Sequence, residues 1–176
     1  MIISLRGTSG SGKSTLVRTI VDLYDRHRDV YTSGRTKPYY TFHGRNPRGR
    51  VLVTPGHYQI ANGGIDTLPS LDAAYQIARW AAKCGHDVLM EGKNMSDGLV
   101  KVNELMAGKF DIRLVFINEP LEKCVASVRE RGHKISDASI KKTMTKVHRD
   151  MGAFDGKAFI GNREQCFETV KGWLGW

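Results

Sequence analysis

The sequence predicts an α/β fold in which a doubly wound, mainly parallel sheet carries helices on both faces. Short apolar runs alternate along the chain with longer segments whose apolar residues recur at helical spacing. This alternation is typical of parallel sheets joined by crossover helices. The first apolar run also passes directly through a glycine-rich loop into an amphipathic helix. The chain is therefore expected to begin with a strand, a tight turn and a covering helix.

The first half of the chain contains the start of this pattern and an irregular stretch. Residues 1–6, MIISLR, form the first predicted strand, and an amphipathic helix follows the loop. Between residues 28 and 54 the segments DVYTS, YYTFH and RVLVTP are separated by Gly, Pro and Asn, which indicates one core strand and a hairpin. Residues 55–70 show no periodicity and are long enough to form a functional loop.

The second half alternates helices and strands more regularly. A helix is predicted over 71–84, a strand at HDVLMEG, a helix near 97–107 and a strand over 112–117, IRLVFI. Asn and Pro after that strand open a helix with the sequence LEKCVASVRER. Ser136 caps the next helix, and NREQCFETVKGWLGW is the last one. We expect these elements to form one domain over 1–176.

Composition limits the classes of protein that fit. The 176 residues carry a formal net charge of +9 and a sequence pI of about 9.6, which favours binding to polyanions such as nucleic acid. The three cysteines form no CxxC pair, so we expect neither disulfides nor a zinc site, and a reducing, cytoplasmic compartment. No apolar run is long enough for a signal peptide or a membrane span, and we expect no membrane partner. Composition leaves the oligomeric state open.

The most specific motif is GTSGSGKS, residues 7–14, which fits the pattern G-x-x-x-x-G-K-[ST] between a predicted strand and a predicted helix. Its glycines let backbone N–H groups converge on phosphate oxygens, and the helix adds the positive end of its dipole. Lys13 is expected to reach the β- and γ-phosphates, and the hydroxyl of Ser14 to bind Mg²⁺. The predicted nucleotide-binding residues are Gly7, Gly10, Ser11, Gly12, Lys13, Ser14 and Thr15.

On this motif the chain resembles the P-loop NTPases, and the resemblance implies their doubly wound fold and a nucleotide bound with Mg²⁺. A GTPase is disfavoured because the chain has NEPL and no N-K-x-D after IRLVFI, and VLMEG lacks the Asp-Glu pair of mechanical ATPases. The remaining pattern is similar to small kinases that use ATP. In those kinases a strand such as IRLVFINEP leads into a helix that ends in an arginine-rich lid, and VRERGHK matches that lid.

The lid is predicted over about 129–137, with Arg129 and Arg131 as catalytic residues. Transfer of a γ-phosphoryl group spreads negative charge over its equatorial oxygens, so positioned cations stabilise the transition state. The structural alternative is a solvated helix C-terminus, where the dipole alone favours basic residues.

An acceptor hydroxyl needs a carboxylate that orients it and takes its proton. Asp66 lies in the loop sequence NGGID, and Glu91 ends the strand HDVLME, at the edge of the sheet where such folds bind ligands. We assign Asp66 as the catalytic base and Glu91 to the Mg²⁺ shell or the acceptor, with the reverse assignment also open. A turn aspartate at position 66 is the structural alternative.

A segment of interleaved basic and aromatic residues indicates the acceptor. GRTKPYYTFHGRNPRGR, residues 34–50, carries five Lys or Arg residues among aromatic rings. Nucleic acid binds to many cations and to flat stacking faces, whereas a solvated loop is the structural alternative. We interpret residues 34–70 as a substrate-contact insertion. The predicted nucleic-acid contacts are Arg35, Lys37, Tyr39, Tyr40, Arg45, Arg48, Arg50, His57 and Tyr58.

The chain is similar to the phage P-loop kinases that phosphorylate the hydroxymethyl group of 5-hydroxymethyluracil in DNA. The similarity rests on compact size, the GTSGSGKST start, the GHY and NGGID segments before VLMEG, and the basic charge. It implies DNA as the partner, an acceptor base that is turned out of the helix or reached by insertion into a groove, and action in the cytoplasm of the host.

Other functions fit the same motifs. The alternatives are a small-molecule nucleoside, nucleotide or metabolite kinase, a 5′-end polynucleotide kinase, a kinase of sugar nucleotides, and a nucleotide-dependent switch without transfer. The sequence also leaves ATP versus GTP open, because it contains no adenine-specific motif. AFIGN, residues 158–162, is the candidate for a loop beside the nucleotide base.

Overall fold

A computed structural model describes residues 1–58, 64–92 and 98–176. The strands are β1 (Ile2–Arg6), β2 (His27–Val30), β3 (Tyr40–Arg45), β4 (Val51–Pro55), β5 (Asp87–Glu91), β6 (Ile112–Ile117) and β7 (Ala158–Gly161). The helices are α1 (Lys13–Val21), α2 (Leu71–Lys83), α3 (Gly98–Ala107), α4 (Leu121–Glu130), α5 (Asp137–Ala153) and α6 (Arg163–Leu174). α5 is the longest at 17 residues, and the described residues include no helix that is long and apolar enough to cross a membrane.

The strands of the described residues form one sheet with the order β2-β3-β4-β5-β1-β6-β7. β4, β5, β1, β6 and β7 run parallel, whereas β3 is antiparallel to both of its neighbours. The mainly parallel α/β fold predicted from the sequence is confirmed. Because parallel strands all end on the same side, the sheet has a carboxyl edge, where ligands bind in such folds, and an opposite amino edge.

Different helices bury the two faces of the sheet. On β1, Leu5 packs with α1 and α6, whereas Ile2 packs with α2, and Leu89 of β5 joins the α1 side. Side chains alternate along a strand. Glu91, two residues after Leu89, therefore points to the α1 side of the sheet, and Arg6, four residues after Ile2, points to the α2 side.

The two outermost strands differ from the sequence-based expectation. The strand expected at DVYTS lies slightly earlier, as β2 over His27–Val30, and Tyr31 beyond it is 53% exposed. AFIGN is not a loop, because Ala158–Gly161 forms β7 and pairs with β6. Both are four-residue edge strands and both are largely outside the core. Such strands lack the apolar runs from which the buried strands were predicted.

The segment 34–50 does not form one surface. β3 runs antiparallel to its neighbours, so its first residue, Tyr40, pairs with Pro55 at the carboxyl edge. Its last residue, Arg45, pairs with Val51 near the amino edge. A strand of six residues is about 17 Å long. The residues of the segment that precede β3 and those that follow it therefore lie about this far apart, at opposite edges of the sheet.

Candidate active site

The phosphate loop curls tightly between β1 and α1. Gly12 has a φ of 91°, in the left-handed region that favours glycine, and it immediately precedes α1. Gly10 packs on the backbone carbonyl of Cys124 in α4, where a β-carbon would overlap the oxygen. The first N–H groups of α1 and the positive end of its dipole face the loop. The loop therefore has the shape and the polarity of an anion cradle.

Lys13 adds a positive charge to this cradle. Its side chain is buried, and its Nζ atom donates hydrogen bonds to the carbonyl oxygens of Gly7, at 2.9 Å, and Thr8, at 2.8 Å. The ammonium group thus lies against the loop itself. Lys13 is the residue that the motif predicts to bind the β- and γ-phosphates.

The structure brings Ser14 and Glu91 together. The hydroxyl of Ser14 donates to both carboxylate oxygens of Glu91, at 2.8 Å and 3.1 Å. Glu91 is only 6% exposed, and strand pairing aligns it with Leu5, just before the phosphate loop. A hydroxyl and a carboxylate next to a phosphate cradle are oxygen ligands of the kind that Mg²⁺ prefers. The two residues therefore fit the metal site that was predicted for them.

A cleft joins the phosphate loop to the turn that contains Asp66. Asp66 lies in a 3-10 turn that precedes α2, and it lines this cleft together with Ile65, Glu91 and Gly92. Asp66 is exposed, whereas Glu91 is buried. The cleft is thus lined by one buried carboxylate beside Ser14 and a second carboxylate that is exposed to solvent.

The two lid arginines have different surroundings. Arg131 lines the same cleft as the two carboxylates, and its Nε atom donates to the carbonyl oxygen of Ser127, at 2.9 Å. Arg129 instead forms an exposed ion pair with Asp137, with 2.6 Å between Nη2 and Oδ2. The structure therefore places Arg131, and not Arg129, at the candidate site.

Two further residues approach the phosphate loop that the sequence did not indicate. His133 lines the cleft beside Arg131. Arg163, the first residue of α6, lies across Gly12, where a β-carbon would be 2.6 Å from the Cδ atom of Arg163. No sequence motif links position 163 to the loop. Arg163 lies there because β7, which precedes α6, pairs with β6 in the sheet.

His57 and Tyr58 do not present open faces to a base. Both are buried, and Tyr58 packs in the core cluster on the α1 side of the sheet. Burial raises the pKa of the Tyr58 phenol well above its ordinary value, and the nearby negative charge of Glu91 adds to the effect. Their ring faces are therefore closed to base stacking in this structure, and their contact with nucleic acid stays a prediction.

Part of the predicted basic segment lies at the carboxyl edge, on the same side as the cleft. Arg35 donates through Nη2 to the carbonyl oxygen of Thr67, at 2.5 Å, and its guanidinium carbon lies 5.7 Å from the ring centre of Tyr39. Lys37 is exposed, and Tyr40 is half-buried. Arg35 therefore connects this group directly to the turn that carries Asp66.

The other basic residues of the segment lie at the amino edge. Arg50 pairs with the buried carboxylate of Asp87, at 3.2 Å, and Arg48 donates to the carbonyl oxygen of Gly172, at 3.1 Å. Arg45 donates to the carbonyl oxygen of Gly49 within the hairpin turn. These three arginines stabilise the far end of the sheet. Their contact with nucleic acid stays a prediction, at the edge of the sheet opposite to the phosphate loop.

Comparison with known proteins identifies the family. A 5-hmdU DNA kinase from Pseudomonas phage PaMx11 is 41% identical over 131 residues, which cover 74% of this chain and 68% of that protein. The chain belongs to the 5-hmdU DNA kinase family. It is therefore a kinase, a phosphotransferase with an alcohol group as acceptor, as the motifs predicted. No protein-family model matches the chain.

Solved structures with the same fold are more distant in sequence. A deoxyadenosine kinase from M. mycoides with the products dCMP and dCDP bound is 10% identical, with a TM-score of 0.52 over 99% of this kinase and 98% of that chain. The same enzyme with dATP bound is 13% identical, with a TM-score of 0.50 over 100% of both chains. At this level of identity the likeness concerns the fold, and it agrees with the predicted P-loop kinase architecture.

The different surroundings of the lid arginines predict different effects of removing them. Replacing Arg131 with alanine should lower kcat at least about 100-fold, because a cation beside the transferred group is lost. The matched Arg129→Ala change removes an exposed ion pair and should lower kcat by no more than about fivefold. Steady-state kinetics with saturating ATP measure both. Equal losses in the two variants would contradict the placement of Arg131 alone at the site.

Proposed function

We propose that this kinase transfers the γ-phosphoryl group of ATP to the hydroxymethyl group of 5-hydroxymethyluracil in DNA, in the cytoplasm of a phage-infected host. The observation that carries the proposal is a single cleft that joins the phosphate loop, the Ser14–Glu91 pair and Asp66. It occurs in a chain that is 41% identical to a phage protein named for this acceptor.

The donor half of the cleft binds the triphosphate. The backbone N–H groups of the loop and the ammonium of Lys13 hold its oxygens, and Arg131 adds positive charge from the lid side. Ser14 and Glu91 would hold Mg²⁺, which when bound neutralises charge on the β- and γ-phosphates. These groups orient the γ-phosphorus toward the open side of the cleft, where Asp66 lies.

The acceptor half of the cleft supplies the catalytic base. Asp66 accepts the proton of the hydroxymethyl group. The hydroxymethyl oxygen forms a bond to the γ-phosphorus while the bond between the γ-phosphorus and the leaving ADP breaks. Glu91 is buried and accepts hydrogen bonds from the Ser14 hydroxyl, whereas Asp66 is exposed to solvent in the turn before α2. This arrangement favours Asp66 as base and Glu91 as metal ligand.

DNA approaches from the carboxyl edge beside the acceptor half. A hydroxymethyl group on a base of a duplex reaches a cleft of this kind when the nucleotide is turned out of the stack. Arg35 and Lys37 lie at that edge and attract the backbone, and the half-buried rings of Tyr39 and Tyr40 lie beside them.

The acceptor is tested directly by transfer of label from γ-labelled ATP. Duplex and single-stranded DNA containing 5-hydroxymethyluracil should become labelled on the modified base, with thymine-containing DNA of the same sequence as control. Label at DNA 5′ ends, label on free nucleosides alone, or hydrolysis without transfer would each contradict the proposal and would indicate a polynucleotide kinase, a nucleoside kinase or a switch, respectively.

Two amide substitutions separate the roles of the carboxylates. Asp66→Asn removes the base and should lower turnover about 10²- to 10⁴-fold with nucleotide affinity nearly unchanged. Glu91→Gln should also lower turnover, but it should in addition raise the Mg²⁺ concentration needed for half-maximal activity. Titrations of Mg²⁺ at fixed ATP compare the two variants. Full activity of the Asp66→Asn protein would remove Asp66 from this scheme.

The DNA surface is tested by its salt dependence. The double change Arg35→Ala with Lys37→Ala should reduce the slope of log affinity against log salt by about 1.8, since two phosphate contacts are lost. Arg48→Ala, at the amino edge, is the matched control and should leave the slope unchanged. Fluorescence anisotropy with labelled DNA measures both. A larger effect of the Arg48 change would place the DNA at the opposite edge of the sheet.

A further inference from the structure

The last residue of β1 is a buried arginine with no ion-pair partner in the described part of the chain. Arg6 is 1% exposed, although it carries a full positive charge. Its Nη2 atom donates to the hydroxyl of Tyr75 in α2, at 2.9 Å. Its Nε and Nη1 atoms have no hydrogen-bond partner among the described residues. Burying a guanidinium group with unused donors destabilises a fold, so a function of this group offsets the loss.

Arg6 lies next to the acceptor half of the cleft. Gly92 follows Glu91, and a β-carbon on Gly92 would overlap the Nη1 atom of Arg6 and lie 3.7 Å from Cδ1 of Ile65. Gly92 and Ile65 both line the cleft, and Asp66 is the neighbour of Ile65. The absence of a side chain at position 92 thus brings the guanidinium close to the place where the acceptor must lie.

The position of Arg6 separates it from the triphosphate. Glu91 and the phosphate loop lie on the α1 side of the sheet, whereas Arg6 points to the α2 side. Lys13 and Arg131 already supply cations to the donor half of the cleft. The unused donors of Arg6 are therefore available to the acceptor and not to the nucleotide.

A guanidinium group can only donate hydrogen bonds, so it selects oxygen acceptors. In 5-hydroxymethyluracil the O4 carbonyl is bonded to the carbon next to the one that carries the hydroxymethyl group. In 5-hydroxymethylcytosine the same position carries an amino group, which is itself a donor. Ile65 and Gly92 line the cleft together with Asp66, and Arg6 lies directly behind Gly92. A base whose hydroxymethyl group reaches Asp66 can therefore turn its neighbouring O4 toward Arg6.

We infer that Arg6 donates a hydrogen bond to O4 of the acceptor base and so selects a uracil ring over a cytosine ring. The inference rests on the proposed function. Contact requires the Ile65 side chain to turn aside, a rotamer change of the kind that is common on binding. An amino group placed against Arg6 would leave two donors facing each other in a buried site, which strongly disfavours binding.

The test combines a change in the protein with a change in the base. Wild type and Arg6→Met are compared on DNA containing 5-hydroxymethyluracil and on DNA containing its 4-thio analogue, whose sulfur is a weaker acceptor. In wild type, 4-thio substitution should lower kcat/KM about 10- to 100-fold. The Arg6→Met protein should phosphorylate the two substrates with equal kcat/KM, close to the value of wild type on the 4-thio substrate. 5-Hydroxymethylcytosine DNA should react much more slowly than 5-hydroxymethyluracil DNA with wild type, and at about the same low rate as 5-hydroxymethyluracil DNA with Arg6→Met.

Three controls separate recognition of the base from structural effects. Arg50→Met removes a guanidinium at the opposite edge of the same sheet and should keep the preference for O4 over sulfur. Arg6→Lys retains the charge, folds if Arg6→Met does not, and should show a reduced preference. Thermal unfolding and ATP binding of each variant report the integrity of the fold and of the donor half.

The outcomes distinguish this inference from the proposed function. If the Arg6 variants lose the same factor on both substrates, Arg6 contacts a phosphate or only supports the fold, and the inference is overturned. If wild type does not label 5-hydroxymethyluracil DNA at all, the proposed function fails before Arg6 is in question. A preference for O4 over sulfur that is as large in Arg6→Met as in wild type also overturns the inference.

Discussion

The site depends on two strands that are distant in the chain and neighbours in the sheet. β1 and β5 pair in parallel with Leu5 opposite Glu91, and this register brings the Ser14 hydroxyl within 2.8 Å of a carboxylate 77 residues away. Because main-chain hydrogen bonds set that register, a slip by one residue would turn Glu91 to the other face of the sheet. The apolar residues of both strands, buried on both faces, hold the register in place.

The sheet also separates charges of opposite sign. Glu91 points toward α1 and the phosphate loop, whereas Arg6 points toward α2. A parallel sheet buried on both faces allows this division, since successive side chains alternate. The cleft at the carboxyl edge is therefore bordered on the α1 face by groups suited to a metal ion and a triphosphate. On the α2 face it is bordered by a hydrogen-bond donor suited to a carbonyl oxygen of the acceptor base.

The sequence was most informative where local chemistry fixes local structure. The phosphate loop, the strand that ends at Glu91 and the Ser136 cap were predicted because each depends on residues close in the chain. The side-chain partners of single arginines were not predictable. Arg129 and Arg131 are two residues apart, yet only Arg131 reaches the cleft, and the choice depends on how α4 ends and on the ion pair with Asp137.

The basic aromatic segment shows the same limit on a larger scale. Its composition indicates polyanion binding over its whole length, but an antiparallel strand carries its second half to the amino edge, where Arg50 neutralises a buried aspartate. The number of charges can be read from the sequence, but strand pairing determines at which edge of the sheet each charged residue lies. Arg6 was overlooked for the opposite reason, since a single arginine inside an apolar strand carries no motif.

The contact of Gly10 with the carbonyl of Cys124 links the phosphate loop to the helix that leads into the lid. With no side chain between them, the two backbones touch, and neither can move toward the other without a clash. A side chain at position 10 would therefore push the phosphate loop and α4 apart, and it would carry Arg131, which follows α4, away from the loop.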